Sequence, residues 1–343
     1  MTPRERLIAA AMHRATDFVP YHLEYSAGIR AAMMRELGTE DLAAATGDHL
    51  SRYSTRGRWE EIRPDFYRDD FGVVWNRTMD RDIGIPAPVL ASPDLSRVEW
   101  PAPDSHNRLD GAAAFVLDTH AAGRFCCFGV AMSLFERAWI LRGMDALLID
   151  MLDDPAFVDA LLDRIVEHNL AVMRALAHLP WDGVWIGDDW GQQRGLIMGG
   201  ALWRRFILPR ARRLYEYARS RGWIVIIHSC GDIVELLPDL IEAGVQVVNP
   251  FQPEVMDLAA VKQEFGRDLA FLGGMSVQRT LPFGAPARVR EESRRLLNEI
   301  GAGGGFVFAP SHMLTDDVPV ANVLAMLDII AAANPATRWF NQQ

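Results

Sequence analysis

The residues with the most pronounced chemical spacing are His228, Ser229 and Cys230. In an extended chain, positions i and i+2 point to the same side. An imidazole and a thiolate placed so can share one zinc ion, but a protein zinc site needs a third ligand. His312 and Asp188 are the candidates for it, because both lie where other apolar runs end. The competing reading is a buried cysteine beside a histidine that hydrogen-bonds a neighbour. Asp188 and Asp189 form an adjacent carboxylate pair suited to base catalysis, metal ligation or a substrate clamp. Their structural alternative is a capping aspartate with a partner that pairs with Arg194. Glu136, next to Arg137, is either a third acidic catalytic group or a carboxylate favoured by a helix N-terminus.

These residues need elements to position them. Six short apolar runs, 125–132, 183–188, 224–228, 245–249, 269–273 and 306–309, alternate with helical patterns at about 144–178, 200–221, 233–243, 257–264, 286–300 and 318–333. Such alternation predicts parallel strands joined by βαβ crossovers, with both sheet faces covered. Val19–Glu24 adds a seventh strand and 71–75 an eighth, giving a distorted (β/α)8 TIM-type barrel. An open doubly wound sheet is the alternative, but no G-x-G-x-x-G follows any strand. The chain reads as one domain, with residues 26–115 as an irregular lid-forming insertion. Five successive strands end in polar residues or glycine: Asp188–Asp189, His228–Cys230, Asn249–Gln252, Gly273–Gly274 and Ser311–His312. Strand C-termini of a barrel converge on one face, where active sites form. Glu24, Asn249 and Gln252 are therefore read as substrate-binding. Trp75 or Phe71, on a lid spanning 60–105, is read as an apolar wall of the pocket.

Composition narrows the function. The chain has 343 residues, 50% hydrophobic, with a formal charge of −10 from 45 acids and 35 bases. That balance disfavours nucleic acid as a partner. The arginine-rich stretch 202–221 reads as a solvated helix face rather than a nucleic-acid surface. Three cysteines cannot build a disulfide framework, which fits a reduced, cytoplasmic setting. The opening Thr2–Pro3–Arg4–Glu5 reads as a capping box and not an export signal, and no apolar run is long enough to span a membrane. Lys262, the sole lysine, reads as exposed on a helix.

An ordered set of segments resembles the uroporphyrinogen decarboxylase superfamily, specifically its methyltransferase-like members. The segments are Glu5–Arg6–Leu7 with Asp17–Phe18–Val19–Pro20, Asp70 to Trp75, Leu134 to Trp139, Gly187 to Gly191, His228 to Gly231, Asn249–Pro250 and Ala309 to His312. The resemblance implies a distorted (β/α)8 barrel. The first strand, Pro20 to Tyr25, lacks the arginines with which true decarboxylases grip the tetrapyrrole. The corrinoid-linked methyltransferases use zinc held by H-x-C and a distant cysteine. His228 and Cys230 match the first two ligands, but no cysteine follows Cys230, and His312 stands near the third position. The resemblance thus implies a cytoplasmic methyltransferase that moves methyl between a small methylated substrate, such as a methoxylated aromatic, and a corrinoid. Demethylation of a donor is favoured over thiol methylation. No D-x-H-x-x-G corrinoid motif is present, so the cobalamin would arrive on a partner protein. Asp188, Asp189 and Glu136 are then the catalytic carboxylates, and His228, Cys230 and His312 the metal ligands. The alternative is a metal-free decarboxylase or lyase of a small carboxylate.

Overall fold

The computed structural model describes residues 1–79, 83–105 and 108–334. Seven parallel strands form the main sheet: Leu50–Ser54, Phe125–Val130, Gly183–Gly187, Ile224–His228, Val247–Phe251, Ala270–Met275 and Phe306–Pro310, adjacent in that order. The extended segment around residues 20–25 lies between the last strand and the first. It makes parallel bridges at Tyr21–Phe308 and Tyr25–Leu314. His49 N also donates to Tyr21 O at 3.3 Å, which joins the segment to the entry of Leu50–Ser54. Beside it, Asp316 accepts from Ser26 Oγ at 2.6 Å and Ile29 N at 2.9 Å. Seven strands and this seam segment make the distorted barrel.

Side-chain alternation explains why these sequences close a barrel. Leu50, Phe125, Cys127, Trp185, Ile226, Val247, Leu272 and Val307 pack in one buried cluster inside the barrel, together with Leu7, Ala10 and Ala11. Cys126, Phe128, Val184 and Ile186, at the alternate positions, pack in the second cluster with the surrounding helices. Helix Pro3–Ala11 plugs the N-terminal end. It starts with the expected Thr2–Glu5 capping box, and Arg4 Nη2 pairs with Asp182 at 2.6 Å just before strand Gly183–Gly187.

Two strand assignments need correction. The strand read into 71–75 is not in the barrel. Residues 59–63, 66–69, 74–76 and 85–87 form a separate four-stranded antiparallel sheet. The missing barrel strand is Leu50–Ser54, inside the stretch read as irregular. Its polar sequence conceals it, because Arg52 points inward to site residues instead of to an apolar core. Lys262 is also not free on its helix: Nζ donates to Gly304 O at 2.7 Å and Gly305 O at 2.8 Å.

The arginine-rich helix Leu208–Ser220 and the π-helical stretch Trp203–Ile207 that leads into it are neutralised locally. Arg204 pairs with Glu235 and Asp239, Arg205 and Arg210 with Asp159, Arg212 with Glu242, and Arg213 with Glu167. None of the described helices is long and apolar enough to cross a membrane.

Candidate metal centre at the barrel mouth

His228 is the last residue of its strand, and Cys230 sits on the turn that follows. That turn needs Gly231: its φ is +85°, and a Cβ there would lie 2.2 Å from the backbone of Gly191. Neighbouring strand ends hold the turn from several sides. Ser229 N donates to Asn249 O at 2.9 Å, and Trp190 N donates to Ser229 Oγ at 2.9 Å. Cys230 N donates to Asp189 Oδ1 at 2.8 Å, and Gly231 N donates to Gln252 Oε1 at 3.0 Å. His312 is brought in by the last strand, whose following Ser311 N donates to Met275 O at 2.8 Å.

The result is a three-residue cluster. One ligand atom each from His228, Cys230 and His312 lie within 4.8 Å of one another. Cys230 Sγ is 3.5 Å from His228 Nε2. The imidazole centroids are 5.7 Å apart at 64°. A cavity of about 230 Å³ opens beside them, lined by Gln192, Cys230, Gln252, Ser311 and His312 among others. Below, Trp185 stacks with His228 at 6.4 Å, and the Arg52 guanidinium lies 4.6 Å from the Trp185 ring.

The hydrogen bonds define which His228 nitrogen is available. Asn249 Nδ2 donates to Leu272 O at 3.1 Å, which turns Oδ1 toward His228. The 2.5 Å contact to His228 Nδ1 must then have the imidazole as donor. Nε2 is left with its lone pair on the side of Cys230. Metal-bound histidines are oriented in this way by an acceptor on the other nitrogen. Asn249→Leu is therefore expected to weaken zinc binding by about 10–100-fold, as read by competition with a chromophoric chelator. Unchanged affinity would exclude Asn249 as the orienting group.

The charges around the cluster favour a cation. Burial pushes the Cys230 thiol up, and the Asp189 and Glu136 charges add to this. A thiolate here needs a positive neighbour, and a bound metal ion supplies one. Asp189 Oδ1 lies 3.7 Å from His228 Nε2. Burial also opposes ionisation of Glu24, yet Arg52, His22, His228 and His312 outweigh it and hold its carboxyl below the usual range. Burial, then His228, lowers the pKa of His312, keeping it a neutral donor. Two imidazoles, a thiol and nearby carboxylates are a donor set that suits zinc.

Glu136 and Asp188 divide into different tasks. Asp188 accepts from Leu134 N at 3.1 Å, Phe135 N at 2.9 Å, Glu136 N at 2.8 Å and Trp190 Nε1 at 2.6 Å. It caps helix Phe135–Arg142 and is occupied on both oxygens. Burial raises it to about 6, against those donors. Glu136 is raised well above the usual carboxylate range by burial and by Asp189 and Asp188. The four donors on Asp188 favour its ionised form, whereas burial and the two aspartates set the direction for Glu136.

The sequence-derived residues are thus partly assembled. His228, Cys230, His312, Asp189, Asn249 and Gln252 meet at the mouth, with Glu24 and Glu136 among the charges acting there. Asp188 turns instead into the helix terminus, which removes it as the third metal ligand. Neither Phe71 nor Trp75 lines the cluster cavity, but Phe71 lines a smaller cavity beside the mouth. Trp75 is buried in the small sheet, with Nε1 donating to Asp69 at 3.2 Å. Phe71 packs against His168 at 5.1 Å. That sheet leaves from the mouth end of Leu50–Ser54 but settles against helices Phe135–Arg142 and Pro155–Leu176. Val89 N and Leu90 N, for example, donate to Leu141 O. Sequence reasoning missed Arg52, whose guanidinium pairs with Glu24, and Trp185 and His22. His22 is the most legible of these, since it stands two residues before Glu24 on one extended segment. Its Nδ1 lies 3.0 Å from Asp48 Oδ1.

A barrel of this distorted form with a polar cluster at its strand C-termini defines an α/β-barrel enzyme class. The sequence model of the uroporphyrinogen decarboxylase (URO-D) family matches residues 71–333, and the chain belongs to that family. A uroporphyrinogen decarboxylase of Syntrophotalea carbinolica is 27% identical over 180 residues, 52% of this chain and 50% of the relative. A methylated-thiol–coenzyme M methyltransferase of Methanosarcina mazei is 27% identical over 142 residues, 41% of this chain and 35% of that protein. The chain spans about half the length of the first of these relatives and about a third of the second. Among solved structures, a methyltransferase from Methanosarcina mazei superposes with a TM-score of 0.73 at 17% identity, covering 98% of this chain and 99% of that one. This likeness establishes the common fold.

Proposed function

We propose that the protein is a methyltransferase that demethylates a small methylated compound, such as a methoxylated aromatic, and passes the methyl group to a corrinoid on a partner protein. The observation that carries this reading is the convergence of His228, Cys230 and His312 at the strand C-termini. His228 Nε2, Cys230 Sγ and His312 would hold a zinc ion. When bound, it supplies a Lewis acid for the heteroatom that carries the methyl group. Asp189 fixes the Cys230 backbone through the bond to its N–H. The cavity beside the triad admits the donor. Glu136, whose carboxyl is held well above the usual range by burial and the neighbouring carboxylates, delivers a proton to the departing heteroatom.

The bond from heteroatom to methyl breaks, and its electron pair stays on the heteroatom, which takes the Glu136 proton. The methyl group would pass to a cobalt(I) corrinoid on the partner, which would supply the electron pair for the new bond and be oxidised by two electrons. Free cob(I)alamin can stand in for the carrier protein. Zinc-supplemented protein mixed with cob(I)alamin and methoxylated aromatics is expected to convert the cob(I) absorption to that of methylcobalamin. Glu136→Gln should slow this by about 10²–10⁴-fold. A metal-replete protein that transfers no methyl group from any donor would overturn the reading.

The family also contains decarboxylases. The metal-free carboxy-lyase reading uses His228 and His312 as direct substrate ligands, and it requires that activity persist after zinc is removed by a chelator.

A further inference from the structure

A second, smaller cavity lies beside the mouth, between the small antiparallel sheet and helix Pro155–Leu176. Its volume is about 50 Å³, and Arg56, Arg108 and Arg137 line it with Asp69 and Asp70. Two of these arginines are spoken for. Arg137 Nη1 pairs with Asp69 at 2.8 Å, and Arg108 pairs with Asp70. Both carboxylates are thereby used. Among the described residues, the Arg56 guanidinium has no ion pair and no hydrogen bond, and the side chain is exposed.

The charges that act on Arg56 are Arg52, Glu24, Arg77 and Glu136. Arg52 and Glu24 neutralise each other as a pair. Arg77 lies 4.5 Å from the Trp59 ring centroid and 4.8 Å from that of Tyr67. Its Nε is buried with no hydrogen-bond partner. An unpaired buried donor is costly and is normally satisfied by a ligand or water. Among the described residues, the neighbourhood therefore holds two guanidinium groups without a carboxylate partner. Thr55 to Gly57 and Val130 to Met132 line this cavity at the C-terminal ends of strands Leu50–Ser54 and Phe125–Val130, so the cationic spot and the metal cluster share the mouth of the barrel. Its small volume suits a head group, not a whole substrate, and guanidinium matches planar or tetrahedral oxyanions well.

We propose that Arg56, supported by Arg77, binds an anionic head group of the substrate, so that the methyl donor is a small carboxylate or sulfonate and not a neutral compound. The inference deepens the methyl-transfer reading by naming the substrate class, and binding measurements test it without turnover. Calorimetric titration of the zinc-loaded full chain would use three matched pairs. These are methoxyacetate with methoxyacetamide, 4-methoxybenzoate with 4-methoxybenzamide, and 4-methoxybenzenesulfonate with the corresponding sulfonamide. At least one anion is expected to bind tenfold or more tightly than its neutral partner. The pair that shows the preference tells carboxylate from sulfonate. Arg56→Gln should abolish the preference, leave the neutral compound's Kd and the zinc content unchanged, and Arg56→Lys should restore part of it. Anions that bind no better than their neutral partners, or an Arg56→Gln protein that keeps the preference, would overturn the proposal. A preserved preference in a protein that methylates no cobalamin would defeat methyl transfer while leaving the anion site intact.

Discussion

Cys230→Ser is expected to leave the protein with less than about a tenth of an equivalent of zinc, where the native chain is expected to bind one. Removal of the thiolate leaves two imidazoles, too few for a tight zinc site. The fold should survive, because Cys230 lies on a turn at the mouth and outside both apolar clusters. A Tm change of no more than about 3 °C is expected. Elemental analysis of protein purified without chelator, paired with thermal unfolding, measures both effects. His312→Ala should behave in the same way, and this is the more discriminating variant, since His312 stands where the methyltransferase pattern has a cysteine. Native protein free of transition metal would remove the zinc centre and favour the lyase reading. The same geometry gives a pH signature. Burial keeps the thiol protonated, so zinc binding must expel about one proton, and affinity should fall about tenfold for each unit of pH lowered.

The second large effect is on stability. Asp188→Ala would orphan three N–H groups at the helix start and the Trp190 indole N–H at once, three of the four bonds being buried and that of Glu136 N part-buried. Removing a buried, hydrogen-bonded charge from its donors costs on the order of 3–5 kcal/mol. Urea unfolding should show a loss of that size, and Tm should drop by on the order of 10 °C. Asp188→Asn keeps the shape and one acceptor oxygen, so it should fall between the two. A loss below about 1 kcal/mol for the alanine variant would mean that those donors find water instead. Zinc content, by contrast, should follow the amount of folded protein, which separates this capping aspartate from the neighbouring Asp189.

The contrast between those two aspartates shows what the sequence could and could not convey. The run Ile224 to His228 is apolar up to its last residue, and its strand begins and ends where that pattern predicts. The same holds for strands whose inward and outward faces are both apolar, since burial on both sides writes itself into composition. Leu50–Ser54 carries no such mark. Its inward Arg52 serves the mouth, and chemistry there displaced the apolar pattern that reveals a strand. Asp188 and Asp189 are identical in type and adjacent, yet one turns toward a helix that begins more than fifty residues earlier. Only the packing of that helix, fixed by buried residues such as Phe135, Ala138 and Leu141, decides which way each carboxylate points. Trp75 is misplaced for a related reason: a large aromatic in a proline-rich stretch signals burial but not against what. Trp75 spends its surface on the small sheet's own interior.

The seam segment has a consequence for how the chain reaches this state. Tyr21 and Tyr25 meet Phe308 and Leu314, and Ser26 meets Asp316 across 290 positions. Contacts so distant in sequence carry the largest loop-closure entropy and form late. On a ribosome, the segment bearing His22 and Glu24 emerges early and must wait, unpaired along one edge, until residues 306–316 have been made. His312 arrives with that same final stretch. Closure of the hoop and completion of the ligand cluster are therefore a single late event, and a nascent chain stalled before residue 306 would possess the other strands without either.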